Sequence, residues 1–111
     1  MKIISFGQTT PIQTSMLLLA GYIPKDSVNL DHVPESTQLD FIKIGRQTLV
    51  RKTGIDLGYD LAAWDDALKQ DKVNRGSYMH SYAWVFVEPK IQKAILNTER
   101  QVIIQKLEAE N

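Results

Sequence analysis

The residue types that could do acid–base or metal chemistry are few and scattered. The chain holds two histidines, His32 and His80, and no cysteine. A thiolate nucleophile, a thiolate metal site and a disulfide are therefore all absent. A zinc site needs several ligands close together, and the two imidazoles lie in different segments. His32 sits beside Asp31 and near Glu35, a surface setting. His80 sits within an aromatic run, where apolar walls would exclude water, and is the better candidate for a general acid or base.

Asp56 and Asp60 flank Gly58 and could hold a hard cation between them. The segment lacks the alternating ligands and closing glutamate of a calcium loop. Acids at this place more often cap a helix, where negative charge is favourable. No metal and no cofactor are expected. The start of the chain has a short apolar run, Gly7 and a helix start at Thr10-Pro11, the order of a phosphate-binding βα unit. One glycine is not a glycine-rich loop, no P-loop lysine follows, and Pro11 removes one donor.

Two arrangements have a stronger claim. The run 78–87 (YMHSYAWVFV) is aromatic and β-branched, which favours a strand. Alternation would then place Tyr78, His80, Tyr82, Trp84 and Phe86 on one face. His80, Tyr82 and Trp84 could line a small-molecule pocket, with Arg46 as anion anchor. The same row could stack bases of a single strand, with Arg75 nearby. Arg46 is itself an anomaly. It shares a helical face with Leu39, Ile42, Leu49 and Val50, so it must find a carboxylate or emerge at an interface. The second arrangement is on the last helix. Ile91, Ala94, Ile95, Thr98, Val102 and Ala109 form one stripe, and Leu96, Ile103 and Leu107 another on the opposite side. That is more apolar surface than a small monomer needs; an interface of Leu96, Arg100, Ile103 and Leu107 would bury it between subunits, and packing of the helix between two others inside the monomer is the competing solution.

The elements that carry these residues follow from punctuation and period. Residues 2–6 read as a strand ending at Gly7. Thr10 caps and Pro11 opens a helix that runs to about Ala20 and stops at Gly21. Residues 24–36 are rich in turn formers and form a connection. A second helix starts near Ser36 or Thr37 and ends by Gly54. A third spans about 61–70, capped by Asp60, with Leu61, Trp64 and Leu68 buried, Asp65 at the border, and Asp66 and Lys69 facing water. After a turn at 74–77 and the strand at 78–87, Pro89 opens the last helix, which runs to about Ala109. Thr98 and Gln101 could form a capping box and break it near Asn97. A helical reading of 78–87 stays open, since Trp84, Val87 and Ile91 also recur at helical spacing.

Composition narrows the function class. The chain has 111 residues, with 13 basic and 13 acidic groups and zero formal charge. Neutrality argues against nucleic acid or an anionic membrane as partner. The 43% apolar fraction suffices for a core. Charge is uneven along the chain. Residues 41–55 carry Lys43, Arg46, Arg51 and Lys52 with no acid, and residues 56–71 carry five aspartates against Lys69. These segments are two solvated faces, or they attract each other within the chain, or they complement each other across a dimer. No apolar run approaches the ~18 residues of a spanning helix, and no secretory leader is evident.

The expected fold is a small single α+β domain over 1–111, with about four helices and two or three short strands, and an all-α bundle as alternative. The expected function is a non-enzymatic interaction or regulatory protein, cytoplasmic and homodimeric. The alternatives are the pocket protein or small enzyme built on His80, Tyr82, Trp84 and Arg46, and a nucleic-acid binder using Lys43, Arg51, Lys52, Lys72 and Arg75.

Overall fold

The computed structural model describes residues 3–25 and 35–109. Strand β1 (Ile3–Ile4) leads through helix α1 (Pro11–Leu19) to β2 (Ile23–Pro24). The two strands pair in parallel, Ile3 against Ile23 and Ile4 against Pro24. Five helices follow: α2 (Glu35–Thr53), α3 (Leu61–Gln70), α4 (Arg75–Met79), α5 (Trp84–Ile95) and α6 (Thr98–Ala109). The fold is a small α+β domain in which helices dominate. Most of the connection expected at 24–36, with His32, lies outside the described residues.

α1 is the central element, and its ends are fixed by local chemistry. The Thr10 hydroxyl accepts the Gln13 N–H, and Gln13 Oε1 accepts the Thr10 N–H, a reciprocal cap. At the other end Gly21 adopts φ +100°, a conformation costly for any residue with a Cβ. This lets the Tyr22 and Gly21 N–H groups return to the Leu17 and Leu18 carbonyls, the Schellman closure. Between these ends Ile12, Met16, Leu17, Leu18 and Leu19 are all buried. A helix buried on nearly every side has neighbours on nearly every side.

The closest neighbour is α2. A Cβ built on Gly45 would lie 2.6 Å from the Leu19 nitrogen and 2.7 Å from the Ser15 oxygen, both backbone atoms of α1. The two helix backbones therefore meet at this glycine. Ile42 and Leu49, one turn either side of it, are fully buried. On α3 the expected stripe of Leu61, Trp64 and Leu68 is buried, and the Asp60 carboxylate accepts the Ala63 N–H.

The run 78–87 is not a strand. It forms the end of α4, a turn, and the start of α5. Burial at Ala83, Val87, Ile91 and Ala94 recurs every three to four residues, the helical period. Packing of that face against the core outweighs the β-propensity of the residues. Pro89 accordingly lies inside α5, where its ring faces solvent, instead of opening the helix. The break near Asn97 is present, but Asn97 itself caps α6 by accepting the Glu99 and Arg100 N–H groups.

Candidate functional site

α5 carries two apolar faces. One, formed by Val87, Ile91 and Ala94, is buried in the core. At 100° per residue, Val85, Pro89, Gln92 and Leu96 fall on the opposite side within about 60° of one another. Val85 is 81% and Leu96 80% exposed, and Tyr82, just before the helix, is 91% exposed. Pro89 and Gln92 are exposed as well. Glu88 borders this stripe on one flank and Lys93 on the other. Among the described residues neither forms an ion pair. The core beneath is complete, since no buried side-chain nitrogen or oxygen among the described residues lacks a hydrogen-bond partner.

Three polar centres join the helices to one another. In the first, the buried Asp65 carboxylate of α3 accepts from the Tyr78 hydroxyl at 2.6 Å and from Gln92 Nε2 at 3.2 Å. Lys69 Nζ pairs with it at 3.0 Å. Burial raises the Tyr78 pKa above the ordinary phenol value, and the hydrogen bond to Asp65 and its charge raise it further. The Tyr78 ring meets Trp84 edge-on, with centroids 4.7 Å apart. This centre ties α3, α4 and α5 together around a charge that is matched by donors.

In the second, buried Gln13 spends its amide on the next segment. Its Nε2 donates to the Tyr78 carbonyl at 2.8 Å and the Ser81 hydroxyl at 2.6 Å. The Thr10 hydroxyl donates to the Ser77 carbonyl at 2.8 Å. The N-terminus of α1 thus satisfies carbonyls at the C-terminal end of α4, which would otherwise lack donors.

The third is Arg100. It donates to the Leu19 and Tyr59 carbonyls. Burial lowers its pKa to about 10, against the opposing pull of Asp60, so it stays charged at neutral pH.

The four residues expected to line one pocket are dispersed over different elements. His80 is the exposed C-cap residue of α4, outside any apolar enclosure. Tyr82 points to solvent, and Trp84 packs half-buried on Tyr78. Arg46 finds the carboxylate that its position demanded. Its Nε and Nη2 donate to Asp56 at 3.1 and 2.8 Å, and its guanidinium lies 4.6 Å from the Tyr59 ring centre. That fork holds the Asp56 carboxyl below the usual range, aided by the Gly58 N–H. The basic and acidic segments are thereby joined within one chain. Arg46 lines a hollow of about 490 Å³ with Lys43, Arg51, Asp56 and Tyr59 but with none of His80, Tyr82 and Trp84.

The expected interface also changes. Leu96 is exposed, but Leu107 is fully buried and Arg100 is enclosed, so neither offers surface. Ile103 is half-buried against the core. The cause is the break at Asn97, which rotates α6 out of register with α5 and dissolves the long stripe. Asp56 and Asp60 are engaged as ion-pair partner and helix cap. Among the described residues no three His, Asp or Glu side chains gather as metal ligands. Nor is any described helix long and apolar enough to cross a membrane. No protein-family model, curated protein or solved structure matches the chain at a significant level.

Proposed function

We propose that the chain is a single small cytoplasmic domain that acts by protein–protein contact, without catalysis, and that it associates as a homodimer through the outward face of α5. The observation that carries this reading is the pairing of two opposite apolar faces on one helix. Val87, Ile91 and Ala94 serve the core, so Val85 and Leu96 are left over at four-fifths exposure. Apolar side chains aligned on one helix face lower their free energy by finding a second surface. One helix stripe is small beside a standard interface, so a weak, concentration-dependent association is expected. The absence of cysteine suits a reducing compartment.

Sedimentation velocity over a concentration series tests it. The 12.6 kDa chain should shift toward twice its mass as concentration rises. Val85→Glu should hold it at the monomer mass without loss of helicity. A wild-type chain that stays monomeric at millimolar concentration would refute the proposal.

A further inference from the structure

The charges beside the stripe specify how two copies would meet. This inference rests on the homodimer reading above. Written as a heptad over α5, Pro89 and Leu96 take position a, Val85 and Gln92 take d, Glu88 takes g and Lys93 takes e, with the Gln92 amide turned back to Asp65 and Tyr82 in the turn that precedes the helix. Glu88 thus lies on one flank of the seam and Lys93 on the other. Both are exposed, and among the described residues neither has an ion-pair partner.

Symmetry decides which flanks face each other. A two-fold axis parallel to the helices brings the left flank of one copy against the right flank of the other. A two-fold axis perpendicular to them brings left against left. In the perpendicular case the Glu88 flank faces its own copy, and so does the Lys93 flank. Shifts of register then offer only like charges or no charge. In the parallel case Glu88 of each copy faces Lys93 of the other, and the interface gains two opposite-charge pairs by symmetry. We propose that a second copy of this chain docks on α5 in parallel, with Val85, Pro89 and Leu96 along the seam and Glu88 paired to Lys93 of the other copy on both sides.

Charge reversal and cross-linking test the arrangement together. Glu88→Lys and Lys93→Glu each turn two attractive pairs repulsive. Each should weaken the dimer about fivefold or more, and the double variant should restore it. The chain has no cysteine, so Val85→Cys introduces a unique thiol. Parallel copies place the two thiols side by side, and mild oxidation should give a covalent dimer. Antiparallel copies in the same seam would put them about 16 Å apart, opposite position 96. In that case Val85→Cys would not cross-link alone but would cross-link to Leu96→Cys, which overturns the parallel register and leaves the homodimer standing. Dimers unaffected by either single reversal would also overturn the register. A wild-type chain that never dimerises overturns both readings.

Discussion

Arg100 of α6 donates from Nε and Nη2 to the carbonyl of Leu19, at 3.1 and 3.0 Å, and so completes the C-terminal end of α1. The last four carbonyls of a helix have no partner within it. Here Met16, Leu17 and Leu18 are served by the Ala20, Tyr22 and Gly21 N–H groups. Leu19, the fourth, is served from 81 residues away. α1 has no basic residue in its own last turn, so Arg100 also supplies the positive charge that its dipole favours there. A third bond, from Nη2 to the Tyr59 carbonyl at 2.8 Å, ties in the approach to α3.

Removing that guanidinium should be expensive. Arg100→Ala leaves the Leu19 and Tyr59 carbonyls without their donor and is expected to cost about 3 kcal/mol. Arg100→Lys keeps a charge but not the fork, and should fall between. Urea unfolding of the three proteins checks the order. A loss under about 0.5 kcal/mol for the alanine variant would contradict this role.

Gly45 sets the approach of α1 and α2. A methyl group there meets two backbone atoms of α1, which cannot rotate aside. Gly45→Ala is expected to lose about 2–3 kcal/mol despite the better helix propensity of alanine. Gly76, in α4, has open space around it. Gly76→Ala should be neutral or stabilise by up to about 1 kcal/mol. Thermal melts of the two variants should therefore move in opposite directions or differ widely.

Tyr78 should make the fold sensitive to alkali. Burial and the bond to Asp65 raise its pKa above the value that it has in the unfolded chain, near 10. The folded state keeps the phenol protonated while the unfolded state releases it. Stability is thus fully present below about pH 10 and falls above it, by up to about 1.4 kcal/mol per pH unit. Tyr78→Phe should cost about 1–3 kcal/mol at neutral pH and lose this slope. The difference between wild type and variant from pH 7 to 11 isolates Tyr78 from Tyr22 and Arg100, which also titrate at high pH.

Asp56 acts in the opposite window. Arg46 lowers its pKa below the ordinary carboxylate value near 4. Its contribution is present above that value and is lost as pH falls through the folded pKa. The stability difference between wild type and Asp56→Asn should be positive at pH 7 and shrink below about pH 4. A difference that stays constant down to pH 2 would show that the fork does not stabilise the fold.

Parts of this architecture are legible locally. Thr10-Pro11 and Gly21 mark the ends of α1, Asp60 the start of α3, and Leu61, Trp64 and Leu68 its buried face. These signals act over one or two turns, so neighbouring residues suffice to read them. Arg46 was legible as a charge in need of a partner. What is not legible depends on distant chain. Gln13 looks like a polar interruption until Tyr78 and Ser81 arrive, 65 and 68 residues on. Gly45 is an ordinary helical glycine until α1 crosses it. The aromatic run at 78–87 reads as a strand because its propensity is local, whereas the burial of Val87 and Ile91 that makes it helical is tertiary. The burial of Arg100 and Leu107 within the fold was not legible for the same reason: a break of two residues at Leu96 and Asn97 separates the face of α6 from that of α5. The outward face of α5 became visible only once the inward face was known.

Hydroxyl-radical footprinting against protein concentration tests the contact face most directly, because it reads position as well as association. Labelling of Tyr82, Val85 and Leu96 should fall as concentration rises. Ile44, on α2, is exposed and should label at a constant level. Unchanged labelling at Tyr82, Val85 and Leu96, at concentrations where the chain is shown to be dimeric or at millimolar protein, would contradict the assignment of α5 as the surface through which this protein acts.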